Sequence, residues 1–185
     1  MRTPLRTSLA AAALLVLAAC GSSSSSASPT DWTSALCGGL SGVISDQSSI
    51  SGTLKAQGAT IGSNPGKFRD VFAMSLGKLA GDFSNARDRI DKVGAPNVKN
   101  GDQLQKDVLA ALGNGAQIFN DAKGKVAAAK PDKTSVVAAV SDAGAALTKG
   151  GSALQDALSK AQKDDVDKKI AQAGNSNPEC KKLAG

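Results

Sequence analysis

The sequence predicts an all-α protein: an antiparallel, up-and-down four-helix bundle behind a short apolar leader and a serine-rich tether. Three observations carry that expectation. In four long segments, apolar residues recur every three or four positions, the period of one face of a helix. Runs of β-branched residues are few and alanine is abundant, so strand signals are nearly absent. Proline and capping residues fall between the segments, at Asn64-Pro65, Pro96, Asn100 and Pro131, where helices start and stop.

The first element in chain order stands apart from the bundle. Met1–Arg6 carries Arg2 and Arg6 and no acid, and Leu9–Ala19 contains only Ala, Leu and Val. A charged start followed by a short apolar run is the layout of an export signal. About eleven apolar residues are too few to span a membrane, which takes roughly 20. The run ends Leu17-Ala18-Ala19-Cys20, which resembles the lipobox of bacterial lipoproteins. That resemblance implies that Cys20 receives a diacylglyceryl group as a thioether, that residues 1–19 are cut away, and that acyl chains such as palmitate hold Cys20 to the outer face of the cell membrane. Two chains give stable anchoring where one is marginal, at ~0.8 kcal/mol per buried methylene. The alternative is a plain secretory signal with an incidental cysteine. After Cys20, Gly21–Thr30 reads GSSSSSASPT, which buries no apolar area and is expected to be a flexible tether. Ten such residues have an end-to-end distance of roughly 17–19 Å, so the domain, residues 31–185, is expected close to the membrane surface.

Within that domain the first helix is expected from about Asp31 to Lys55, with Trp32, Leu36, Leu40, Val43, Ile50 and Leu54 inward. Trp32 reads as a core anchor near the tethered end, or as a residue at the lipid interface. The second helix has the clearest stripe: Phe68, Phe72, Leu76, Leu79, Phe83, Ala86, Ile90 and Val93, with Asn64 as cap and Pro65 in the first turn. The third is expected over residues 101–129, capped by Asn100 with Gln103 completing a capping box, and with Leu104, Val108, Leu112, Phe119, Ala122 and Val126 inward. The fourth begins near Thr134 or Ser135 with Val137, Val140, Leu147, Leu154 and Leu158 inward, while Val166 and Ile170 drift off the line. It runs to about residue 173 and is too long for its neighbours, so either it breaks at Gly150-Gly151 or its last turns overhang. The tail from Gly174 through Pro178 is expected to turn back.

With Cys20 assigned to lipid, Cys37 and Cys180 are left as a pair in an exported, oxidising setting. They read as a disulfide; two free thiols is the alternative. In an up-down-up-down order the start of the first helix and the end of the fourth share one end of the bundle, so a bridge is natural there. Closing so long a loop contributes about 2–4 kcal/mol, up to about 5.

Composition excludes much chemistry. The 185 residues include no His and no Tyr, which removes Ser-His, Cys-His and His-metal arrangements. The formal charge of +6 falls to +4 once Arg2 and Arg6 leave with the leader. No basic run interleaved with aromatics marks a nucleic-acid interface. Gly62-Ser63-Asn64-Pro65-Gly66-Lys67 lacks the spacing, the hydroxyl and the preceding strand of a phosphate loop and reads as a helix-starting turn. Asp164, Asp165 and Asp167 form an acidic cluster, but Asp164–Lys168 and Asp165–Lys169 repeat the i,i+4 spacing of Asp88–Lys92, Asp102–Lys106, Asp121–Lys125 and Asp156–Lys160, a device of solvated helix faces. The many helical glycines, Gly77 and Gly81 among them, read as points of close helix approach, or as softness that lets the bundle open.

The lipobox, the serine tether, the DWTSALC opening and the late cysteine together resemble the small helical lipoproteins of actinobacteria. That family's activities are largely unassigned, so the likeness implies an envelope location and no mechanism. The expectation is a non-catalytic module, without cofactor or metal, that binds another envelope protein or polymer. The alternative is a carrier of a small apolar ligand or lipid between the helices. An enzyme would need a Ser-Lys pair in a deep pocket.

Overall fold

The computed structural model describes residues 26–164 and 167–183. Residues 1–25, with Cys20, lie outside the described residues. So do Asp165 and Val166 and the side chains of Leu154, Asp156, Leu158, Lys160 and Asp164. The described chain is helical: α1 (Pro29–Gln57), α2 (Thr60–Ser63), α3 (Pro65–Val93), α4 (Gly101–Ala128), α5 (Lys133–Asp164), α6 (Lys169–Ser176) and α7 (Pro178–Leu183).

Two starts and one end have a clear local cause. Ser28 is extended, its Oγ accepts from the Asp31 N–H at 3.1 Å, and Pro29 opens the first turn of α1. Asn64 caps α3 by accepting from Lys67 N–H at 3.1 Å, with Pro65 next, so Gly62–Lys67 is a helix start as expected. Gly94 closes α3 at φ 82, where its N–H reaches the carbonyls of Ile90 and Asp91.

Two expected starts differ. Asn100 sits at φ 62 and its side chain makes no capping bond, while Gln103 donates to Asp107 at 3.1 Å, so the capping box does not form. Asparagine serves this loop because it tolerates the left-handed conformation. The fourth long helix starts at Lys133, because Asp132, not Thr134 or Ser135, accepts from Ser135 N–H at 2.9 Å and from its hydroxyl at 2.8 Å.

The fold also begins earlier than expected. Ala27 N–H donates to Ala95 O at 2.8 Å and Asn97 N–H to Ala27 O at 2.7 Å, an isolated bridge that ties the incoming chain to the α3–α4 loop. Ala27 is buried. Residues 26–30 therefore belong to the domain and not to a free tether.

The long helices pack in sequence, α1 on α3, α3 on α4 and α4 on α5, while α6 and α7 cover the start of α1. Gly38 faces Arg89, Gly39 faces Ala86, Gly42 faces Asp82, and Asp46 meets Lys78, so α1 and α3 run in opposite directions. The same holds for α3 and α4, where Gln105 reaches Ile90, Phe83 meets Phe119 and Arg69 reaches Ala129. The stripe of α3 is buried from Phe68 to Ile90, and those of α1 and α4 are buried apart from a half-buried Leu54. Each fully buried Phe or Leu contributes about 1.5–3 kcal/mol.

Helix α5 keeps the expected inward line at Val140 and Leu147, which pack against the core, and departs from it at the start of the helix. Val136 is buried and Val137 is 46% exposed. The inward line is Val136, Val140, Ala143, Leu147 and Gly150, in steps of four and three. Nor does α5 break at Gly150-Gly151. Gly150 is a point of close approach: a Cβ there would lie 2.5 Å from the Phe119 ring, and one on Gly115 would lie 2.5 Å from the Phe83 ring. The two rings stack with centroids 5.4 Å apart. Gly39, Gly115 and Gly150 thus admit residues of a neighbouring helix, whereas Gly77 meets only the Lys123 side chain and Gly81 faces open space. The long segment divides later, between Asp164 and Lys169, with Lys168 at φ 54.

Candidate functional site

Two clusters stand out, both built on α1. The first lies at its start. Trp32 is fully buried, and its indole N–H donates to Gln105 Oε1 at 2.8 Å. Gln105 Nε2 in turn donates to Ile90 O at 2.9 Å. A single glutamine from α4 thereby satisfies the indole of α1 and supplies a second donor, beside Gly94 N–H at 3.2 Å, to a carbonyl in the last turn of α3. Trp32 is a core anchor, the first of its two expected roles.

Further along α1, Cys37 forms a disulfide with Cys180, with Cα atoms 5.0 Å apart across a sequence separation of 143. The expected pairing is present, although Cys180 lies on α7, a separate short helix. Asn177 sets that helix in place. Its Nδ2 donates to Ser34 Oγ at 2.6 Å, and its Oδ1 accepts from Glu179 N–H at 2.8 Å.

The second cluster lies at mid-height between α1 and α3. Asp46 is 6% exposed, and its Oδ1 accepts from Lys78 Nζ at 2.8 Å. Its Oδ2 is buried and, with both carboxyls ionised, has no hydrogen-bond donor among the described residues. The partly buried carboxyl of Asp82 lies over Gly42, where a Cβ would stand 3.3 Å from it, and is within hydrogen-bonding reach of Asp46. Burial alone would raise Asp46, but the Lys78 and Asp82 hydrogen bonds outweigh it and hold the carboxyl below the ordinary range. Asp82 moves the other way: burial, the Asp46 hydrogen bond and the Asp46 charge push it up, partly offset by Lys78. The Asp46 carboxylate, through hydrogen bond and charge, raises Lys78.

Sequence reasoning misses this cluster. A signal is present: the apolar line of α1 steps from Val43 to Ile50, and Asp46 occupies the turn between. The charges that the i,i+4 spacing picks out sit elsewhere. Asp88, Lys92, Asp102, Lys106, Asp121 and Lys125 are exposed, and among the described residues the ion pairs are Arg69–Asp70, Lys78–Asp46, Lys169–Asp167 and Lys182–Glu179. Asp167 therefore meets Lys169 at 4.0 Å, while Asp164 and Asp165 fall outside the described side chains. Among the described residues, no three Cys, Asp or Glu groups converge as metal ligands, and no helix is long and apolar enough to cross a membrane.

The grooves are shallow and open. One of about 270 Å³ runs along the α3–α4 loop past Ser26, Asn97, Asn100 and Asp102, and another of about 310 Å³ lies between Asn85, Asp88, Arg89 and Lys92. Neither holds the Asp46 cluster. Of the residues that the sequence marks, the structure brings Cys37 and Cys180 together and buries Trp32 on the same helix, α1, as Cys37; Cys20 is outside the described residues. No family model, no curated protein and no solved structure matches this chain.

Proposed function

We propose that the chain is a lipid-anchored lipoprotein of the cell envelope, displayed on the outer face of the membrane as a non-catalytic interaction module that binds another envelope protein or polymer. The single observation that carries the anchoring is Leu17-Ala18-Ala19-Cys20, with a charged leader before it and serines after it. In this reading α1, α3, α4 and α5 are the four rods of an up-and-down bundle, and α6 and α7 return the chain to the start of α1. The stacked Phe83 and Phe119 rings, seated against glycines with no room for a methyl group, support a solid module over a carrier with an internal ligand cavity.

The anchoring test is a Cys20→Ala variant expressed in the native host. The wild-type chain is expected in the membrane fraction with a mass increment of a diacylglyceryl group on its N-terminal cysteine. The variant is expected to lose both the increment and the membrane association. An unmodified wild-type chain that fractionates with soluble proteins overturns the reading. Affinity capture of the anchored form, with Cys20→Ala as the comparison, then tests for an envelope partner.

A further inference from the structure

We propose that Asp46 and Asp82 hold one proton between them and form an acid-closed latch joining α1 to α3. The geometry carries the assignment. With both carboxyls ionised, Asp46 Oδ2 lies buried with no donor among the described residues, and a carboxylate oxygen left bare in an interior is costly. The group within reach is the carboxyl of Asp82, held over the bare Gly42 one turn before Asp46. Two carboxylates in contact repel, whereas a carboxyl donating its O–H to a carboxylate makes a strong, charge-assisted hydrogen bond. Lys78 Nζ, on the other oxygen of Asp46, matches the single negative charge that remains.

Among the described residues, the charged groups acting on the pair come from the two helices it joins. Lys78 and Asp82 belong to α3, and α1 supplies Asp46 itself. Among the described residues, no charged group of α4, α6 or α7 is among those that shift either carboxyl.

The two carboxyls titrate as a pair, in two steps. Asp82 is raised, so its contribution to stability is complete below the unfolded value of about 3.9 and is lost as pH rises through its folded value. Asp46 is lowered, so its contribution is present above about 3.9 and is lost as pH falls through its folded value. Between the steps the latch is closed. Above the upper step the Asp82 proton passes to solvent, leaving two carboxylates facing one ammonium, and the latch is open.

The test is a carboxyl carbon-13 NMR titration of the aspartate-labelled chain, with thermal unfolding of wild type and Asp82→Asn from pH 4 to 8. One carboxyl is expected to keep its proton above the ordinary aspartate range while its partner ionises below it. Wild-type Tm, relative to Asp82→Asn, is expected to fall by about 2–4 °C across the Asp82 titration, because the amide introduced by the substitution donates to Asp46 at every pH. Two carboxyls titrating independently in the ordinary range would overturn the proposal. So would identical pH profiles for the two chains. If Asp82→Asn fails to fold, the wild-type titration decides alone.

Discussion

The two ends of the helical stack are closed by different means. Where α1 begins, bonds between residues far apart in sequence hold the end: the Cys37–Cys180 disulfide, Trp32 to Gln105, Asn177 to Ser34, and Ala27 to the α3–α4 loop. Where α1 ends, most closures are local: the single turn of α2, the Asn64 cap and the Asp132 cap, with Arg69 to Ala129 O at 3.0 Å as the long-range tie. Long-range closures must be broken together, whereas caps are lost one at a time. The contrast predicts that amide exchange is slowest around Trp32 and Ile90 and fastest around α2.

The largest effect is expected from removing the disulfide. Cys37→Ser is expected to cost about 2–5 kcal/mol in denaturant unfolding and to release α7 to fast amide exchange while α2 changes little. A uniform rise in exchange would show that the ends are one cooperative unit. Gln105→Met comes next, at about 1–3 kcal/mol, because it strands the buried Trp32 indole N–H and removes a donor from Ile90 O. Trp32 fluorescence reports it directly, and an unchanged emission maximum and midpoint would deny the network its role. The smallest is Asn64→Ala, at about 1 kcal/mol, read as faster exchange over the first turn of α3 alone.

How much of this was legible in the sequence depends on side-chain size. The stripe of α3 was readable because Phe and Leu mark it from Phe68 to Phe83 and Ile90 continues it. That of α5 was readable at Val140 and Leu147 but not at its start, because Val136 and Val137 are indistinguishable by type although one is buried and the other exposed. The Asn100 misreading has a similar root: asparagine suits both a cap and a left-handed turn, and composition does not report φ. The Ala27 bridge had no signal at all, since backbone pairing leaves no mark on side-chain identity. The division after Asp164 carries no Gly or Pro. The disulfide was legible by elimination of Cys20, and the Asp46 cluster only as an interruption in an apolar line.

The Ala27 bridge has a consequence for posture. On the proposed anchoring, only six peptide steps separate Cys20 from Ser26, a leash of at most about 21 Å when fully drawn out. Helix α1, with 29 residues, is about 43 Å long. The leash is shorter than the rod, so the domain cannot stand inverted on the bilayer. On that proposed anchoring, the α2 end is the one free to face outward, and a partner approaching from beyond the membrane would meet it first.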